Sequence, residues 1–244
     1  KHNSDENQYI YEATGLARYS DAVVVCLGLD DTLEGEERHQ SNTYGSGDKP
    51  DLKFPGQQER LLREVLDAAG DKPVILVNMT GSAMDLNLAE ERCAAIIQAW
   101  YPGSRGGQAI AELLFGEYSP AGRLPVTFYR TIEELPEFTD YRMTGRTYRY
   151  MKNDALYPFG YGLSYNTYRY DAVEFPYWQD GKLHVRVRVT NQGTMEGDEV
   201  VQLYTIHKSP VLESPNCSLR GFQRITLEPG ASQEVEFILG QEDL

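Results

Sequence analysis

Up to about residue 130, short apolar runs alternate with helical patterns. Residues 21–28, DAVVVCLG, form an unbroken apolar run that predicts a buried strand. Over 55–70, Leu62, Val65, Leu66 and Ala69 fall on one face at helical spacing, and Pro55 sits near the start, so a helix is expected. Residues 72–78, KPVILVN, predict a second strand, continuous rather than alternating, as in a sheet covered on both faces. A short helix over 86–93, a third strand over 94–100 and a second long helix over 106–116, closed by Gly116, complete the pattern. Strand–helix alternation of this kind predicts an α/β domain with a mostly parallel sheet.

The texture then changes. Residues 131–165 are loop-like and rich in Tyr, Arg and Gly. In 182–191, KLHVRVRVTN, the residues Leu183, Val185, Val187 and Val189 share one face while His184, Arg186, Arg188 and Thr190 take the other. Runs at 198–207, 219–227 and 232–239 follow, separated by the turn sequences NQGTMEGD and EPGA, and this spacing predicts a β-sandwich. The chain is therefore divided into an α/β domain over 1–165, with a Tyr- and Gly-rich linker at its end, and a β-sandwich over 166–244. No internal repeat or low-complexity segment interrupts it.

Charge narrows the function classes. A net charge of −14 and a pI near 4.7 leave no basic stripe for phosphates, so nucleic acid is not an expected partner. An uncharged or cationic partner suits this balance. The 17 tyrosines supply amphipathic contact surface of the kind common where sugars or proteins are bound. The 3 cysteines, Cys26, Cys93 and Cys217, make neither a disulfide framework nor a zinc site. Two of them lie in apolar, strand-like runs and are expected to pack as small hydrophobic side chains. That usage leans toward a reducing, cytoplasmic setting over a secreted one. No apolar run reaches membrane-span length, so no membrane partner is expected. The sequons at Asn78 and Asn216 read as chance matches, since Asn78 ends a strand.

The first strand runs into an acid cluster of Asp30, Asp31, Glu34, Glu36 and Glu37. Ligands of open α/β sheets gather beyond the C-terminal strand ends, so the cluster is well placed for a site; a solvated loop is the other reading. Asp30, Asp31 and Glu34 could ligate Ca²⁺, but their spacing is not that of a calcium loop, and no metal or cofactor is expected. Gly106 and Gly107 could receive an anion at a helix start or merely allow close packing, and the packing reading is preferred. His2, His39, His184 and His207 are scattered and suggest no catalytic arrangement. The residues by themselves lead to an α/β domain with a candidate acidic loop, followed by a β-sandwich.

Taken together and in order, five stretches resemble the C-terminal half of family 3 glycoside hydrolases, the β-glucosidases and β-xylosidases. They are GLDDTLEGEE with GSGDKPDLKFPGQQERLL, then VILVNMTGSAMDLN, then IIQAWYPGSRGGQAIAELLFGEYSPAGRLPVTFY (96–129), then GRTYRYMKNDALYPFGYGLSY (145–165), and finally GDEVVQLY with LRGFQRI. The last pair is similar to the family's fibronectin-III-like domain. The resemblance implies a retaining, exo-acting β-glycosidase whose substrate is a β-linked oligosaccharide or glycoside. In that scheme a (β/α)8 barrel supplies the nucleophilic Asp and the α/β sandwich supplies the general acid/base Glu. Glu34, followed by Gly35, matches the acid/base position; Glu36 and Glu37 remain alternates. Asp48 matches a downstream Asp of the family, and Lys49 stands where Arg is more usual.

No stretch of these 244 residues resembles the barrel. The nucleophile is therefore expected from another part of the parent protein, and this chain alone is expected to be inactive. Part of the sandwich before 19–25 and the last strands of an incomplete fibronectin-III-like domain are also expected to lie outside it. β-Glucosidase action is the leading reading and β-xylosidase action the alternative. A further alternative is a non-catalytic carbohydrate-binding or interaction module that uses the Tyr-rich 141–170 segment. A second copy of the chain, as a homodimer, is left open.

Overall fold

The computed structural model describes residues 6–30, 33–34, 49, 51–137, 139–208 and 214–244. The chain divides into two compact units, one of residues 1–107 with 128–135 and one of residues 108–127 with 136–244.

In the first unit, helix α1 (Glu6–Tyr19) precedes strand β1 (Val23–Gly28), helix α2 (Gln58–Ala69), strand β2 (Val74–Met79), helix α3 (Asn87–Arg92), strand β3 (Ala95–Gln98) and the start of helix α4 (Gly106–Leu114). The three strands are parallel and ordered β1-β2-β3. The predicted stripe on α2 is the buried one: Leu62, Val65, Leu66 and Ala69 all face inward. Each of its larger aliphatic side chains contributes roughly 1.5–3 kcal/mol by leaving water. The Arg60–Glu64 and Arg63–Glu59 pairs on the open face, at 2.7 and 2.9 Å, add about 0.3–0.5 kcal/mol each. Burial therefore decides where α2 lies.

Strand β2 is covered on both faces, as its continuous run predicts: Val74, Leu76, Val77 and Asn78 are all buried. β1 differs from the expected buried strand. Val25 and Leu27 point inward, while Val24 is 46% exposed and Cys26 is exposed, because β1 is an edge strand with one face open. Cys26 is thus not the packed thiol its sequence context suggested, and Cys93 and Cys217 are only half-buried. Helix α1 was not legible in the pattern. Its inward positions are Ile10, Thr14 and Ala17, of which only one is large and apolar, while Tyr9, Tyr11, Leu16 and Tyr19 are exposed. Lys72 donates to the carbonyls of Ala17 and Arg18, at 2.7 Å each, placing a cation on the C-terminal end of α1.

The second unit contains most of α4, the short helix α5 (Thr147–Tyr150) and strands β4 (Tyr168–Ala172), β5 (Tyr177–Gln179), β6 (Lys182–Asn191), β7 (Gly197–Thr205), β8 (Ser218–Leu227) and β9 (Ser232–Leu239). β6 pairs antiparallel with β4, β5 and β9, and β7 pairs antiparallel with β8. Val189, Val201, Ile225, Leu227 and Val235 form the core, with Val187 and Phe237 packed against it. On the outer face of β6 the alternate residues pair across to β9: Arg186 with Glu236 at 2.9 Å, Arg188 with Glu234 at 2.5 Å, and Thr190 with Ser232 at 2.8 Å. Strict alternation thus placed each face as expected. Asn191, wholly buried, spends its amide on the Met195 and Leu227 carbonyls and accepts from the Gly193 N–H, so it carries no unpaired polar cost.

Candidate active site

Parallel pairing sets Gly28 opposite Met79 and Asn78 opposite Gln98, so the chain leaves β1, β2 and β3 at one common edge. At the end of β1 the backbones approach closely. A Cβ on Gly28 would lie 1.9 Å from the Met79 carbonyl oxygen, which only glycine avoids. Gln58, at the start of α2, grips Gly28 from the other side. Its Nε2 donates to the Gly28 carbonyl and its Oε1 accepts from the Gly28 N–H, both at 2.8 Å. With the exit direction held, the chain turns at Asp30, whose carbonyl accepts the N–H groups of Leu33 and Glu34 at 3.1 and 3.0 Å. That turn carries Glu34, half-buried, over the end of β2.

There the Ser82 hydroxyl donates to Glu34 Oε1 at 2.8 Å. Ser82 is anchored through its own carbonyl, which accepts from Thr80 Oγ1 at 2.9 Å. Thr80 Oγ1 in turn accepts from Asn78 Nδ2 at 3.1 Å, and Asn78 also donates to Gln98 Oε1 at 2.6 Å. Asn78 and Thr80 are fully buried, so this network ties β2 to β3 in a low-dielectric setting where its bonds hold firmly. The same burial leaves the Asn78 sequon inaccessible.

Beyond β3, Trp100 adopts a left-handed backbone with φ 54°, uncommon for so bulky a residue. Its ring meets Phe128 edge-on at 6.5 Å. The turn lays the Tyr101 ring against Gly81, where an added Cβ would be 2.6 Å from Tyr101 Cε2. The Tyr101 hydroxyl lies near the Gly81 backbone and the Glu34 carboxyl, and both act on its titration. Burial holds this phenol above its ordinary value of 10.0; the Gly81 bond pulls it down, and the negative charges of Glu34 and Asp30 push it further up. Tyr101 is therefore a neutral donor near neutral pH. Lys49 is half-buried, donates to the Ala83 carbonyl at 2.9 Å and touches Met84 Sδ at 3.1 Å. Burial lowers its amine below 10.5, against the raising effect of Glu34 and Asp51.

Of the acids named from sequence, Glu34 and Asp30 stand at this edge. Asp31, Glu36, Glu37 and Asp48, together with His39, lie outside the described residues. Among the described residues no group of three metal-ligating side chains occurs, and no helix is long and apolar enough to cross a membrane. A Cβ on Gly106 would fall 2.5 Å from the Pro102 ring, which accords with close packing at that helix start. Ser82 and Tyr101 were missed as site residues. TGSAM reads as an ordinary turn and Tyr101 as part of a helix approach; only their position just past a strand end could have marked them.

The second unit holds a cavity of about 800 Å³ lined by Tyr148, Phe159, Tyr161, Gln202, Tyr204 and Asn216, among others. Three of its polar side chains are spent on other lining groups. Tyr204 donates to Gln202 at 2.6 Å, Gln202 to the Gly160 carbonyl at 3.1 Å, and Asn216 to the Met151 carbonyl at 2.8 Å. Burial pushes the Tyr204 phenol up to about 12. The strand-edge site around Glu34 is the better furnished of the two for chemistry.

Comparison with known proteins accords with this. The family model for the glycosyl hydrolase family 3 C-terminal domain matches residues 1–165, and that for the fibronectin type III-like domain matches 199–244. The chain is 43% identical to a xylan 1,4-β-xylosidase of Xylanibacter ruminicola over 99% of its length, and 36% identical to a periplasmic β-glucosidase of Salmonella typhimurium over 96%. It spans 27% and 31% of the lengths of those two relatives. Among solved structures it is similar to a β-glucosidase from Kluyveromyces marxianus, with TM-score 0.83, 29% identity and 100% of this chain covered against 29% of that one. It is likewise similar to a β-glucosidase from Erythrobacter marinus, with TM-score 0.79, 37% identity and coverage of 100% and 34%. With its parallel α/β sheet followed by antiparallel β-strands, the chain belongs to glycosyl hydrolase family 3, of which it carries the C-terminal domain and a fibronectin type III-like domain.

Proposed function

We propose that this chain is the acid/base-bearing part of a retaining, exo-acting β-glycosidase that removes terminal β-D-glycosyl residues, with Glu34 as general acid and then general base. The observation that carries the reading is the place of Glu34. It is half-buried at the shared C-terminal edge of three parallel strands and held by the Ser82 hydroxyl at 2.8 Å. The Ser82 hydroxyl orients the carboxyl without itself carrying charge, and the Lys49 ammonium acts on it electrostatically.

In the first step Glu34 protonates the glycosidic oxygen as the bond to the anomeric carbon breaks. A carboxylate nucleophile, expected from a barrel domain elsewhere in the parent protein, takes that carbon. In the second step Glu34 removes a proton from water as it attacks the glycosyl-enzyme. Retaining chemistry places the two carboxyl groups about 5–5.5 Å apart, which two domains can provide as well as one. The chain by itself is then inactive. β-Glucosides are the leading substrates, and the 43% identity to a xylan 1,4-β-xylosidase favours β-xylosides as the second reading.

The test is kinetic, on the longer protein that contains this chain. Glu34→Gln should lower kcat about 10²–10⁴-fold on alkyl glucosides and xylosides, whose leaving groups need protonation. It should spare the glycosylation step with a dinitrophenyl glycoside and respond to added azide. Activity equal to wild type on alkyl glycosides would remove Glu34 from the role, and parallel Glu36→Gln and Glu37→Gln variants would then show whether either holds it.

A further inference from the structure

We propose that Ser82 and Tyr101 are positioning residues that orient the Glu34 carboxyl for proton transfer. This rests on the reading of Glu34 as the acid/base. Each of the three strand ends contributes one part. The turn after β1 brings Glu34, the turn after β2 brings Ser82, and the turn after β3 brings Tyr101.

The Ser82 hydroxyl donates to Glu34 Oε1 at 2.8 Å and so fixes one of the two carboxyl oxygens. Ser82 cannot drift, because its carbonyl is bound by Thr80 and Thr80 belongs to the buried Asn78–Gln98 network. Tyr101 is placed by two costly local features. Trp100 holds a left-handed φ of 54°, and Gly81 lacks the Cβ that would strike the Tyr101 ring at 2.6 Å. Backbone strain of this kind persists only where the surrounding structure over-determines it, and here it aims a phenol at a carboxyl.

The experiment uses the longer protein and reads kcat and KM on an alkyl glycoside. Ser82→Ala and Tyr101→Phe should each lower kcat about tenfold, the usual scale for one lost hydrogen bond to a charged group. KM should hardly move, and Ser82→Thr should restore kcat. Because a fold defect could also lower kcat, each change is repeated in a Glu34→Gln background. If Ser82 and Tyr101 act through Glu34, they should add no further loss there. Full additivity with Glu34→Gln, or no recovery of kcat with Ser82→Thr, overturns the inference while leaving Glu34 in its role. A Glu34→Gln enzyme with wild-type activity overturns the underlying reading instead.

Discussion

Single positions show how closely the candidate site is built. Gly28 is the clearest: a methyl group there would sit 1.9 Å from the Met79 carbonyl oxygen, and backbone cannot yield as a side chain can. Gly28→Ala is expected to cost about 1–3 kcal/mol, read as a lower midpoint in urea unfolding, and to lower activity of the longer protein by displacing the Asp30–Glu34 turn. A midpoint equal to wild type would show that β1 can slide, and the close approach would lose its meaning. The cysteines give a second prediction at this scale. Cys26 is exposed, whereas burial pushes the Cys93 and Cys217 thiols up from their ordinary value of 9.0. A thiol reagent near neutral pH should label one cysteine quickly and two slowly, and Cys26→Ser should remove the fast phase. Quick labelling of Cys93 in that variant would contradict the burial described for it. Neither behaviour was legible from the residues. A glycine's neighbour across a sheet, and the open face of an edge strand, are set by chain segments far apart in sequence.

At the level of elements, periodicity carried further. The stripe Leu62, Val65, Leu66 and Ala69 on α2 and the alternation along β6 both appear in the fold as their spacing predicted, because one buried face fixes a helix or a strand register. Helix α1 escaped notice because Thr14 and Ala17 are two of its three inward positions and its larger apolar groups face water. The short strands β4 and β5 hid in a Tyr-rich stretch for a related reason: both have mostly exposed residues and take their place by pairing with β6. The two faces of β6–β9 should respond very differently to truncation. Val235→Ala empties part of the core and should cost about 2 kcal/mol, whereas Glu234→Ala, on the exposed ladder, should cost about 0.5 kcal/mol or less. Equal losses, measured by chemical denaturation, would mean that the charge ladder rather than the core holds these strands together.

For the molecule as a whole, charge sets the response to pH. With 37 acids against 23 basic residues, self-repulsion grows as the pH rises past the carboxylate range. Glu228 beside Glu196 raises the Glu196 carboxyl above its ordinary value of 4.5, so that repulsion is present at neutral pH and is relieved as the pH falls through the raised value. Asp198 behaves oppositely. Thr226, with Arg224 behind it, holds its carboxyl below 3.8, so its stabilisation is full above that ordinary value and is lost as the pH falls through the lowered one. The His184 ring and Arg186 hold Glu236 below 4.5, with the same sign. Thermal stability should therefore peak on the acid side of neutrality, at about pH 5, and fall steeply below about pH 4; salt should flatten the approach from neutral pH. A melting temperature that rises steadily from pH 4 to pH 8 would overturn this account.

The succession from β1 through α2, β2, α3 and β3 to α4, the two textures of the chain, its acidic balance and the family to which it belongs were all set by the sequence, because each depends on local spacing or on residue identity alone. The arrangement around Glu34 was not. Glu34 and Ser82 are 48 residues apart, and they meet only because β1 and β2 pair in parallel with Gly28 beside Met79. Tyr101 joins them through a left-handed Trp100 that no propensity favours. Tertiary structure brought Glu34 to the Ser82 hydroxyl, because hydrogen-bond partners across a sheet are chosen by register and turn geometry, which no short stretch of chain contains.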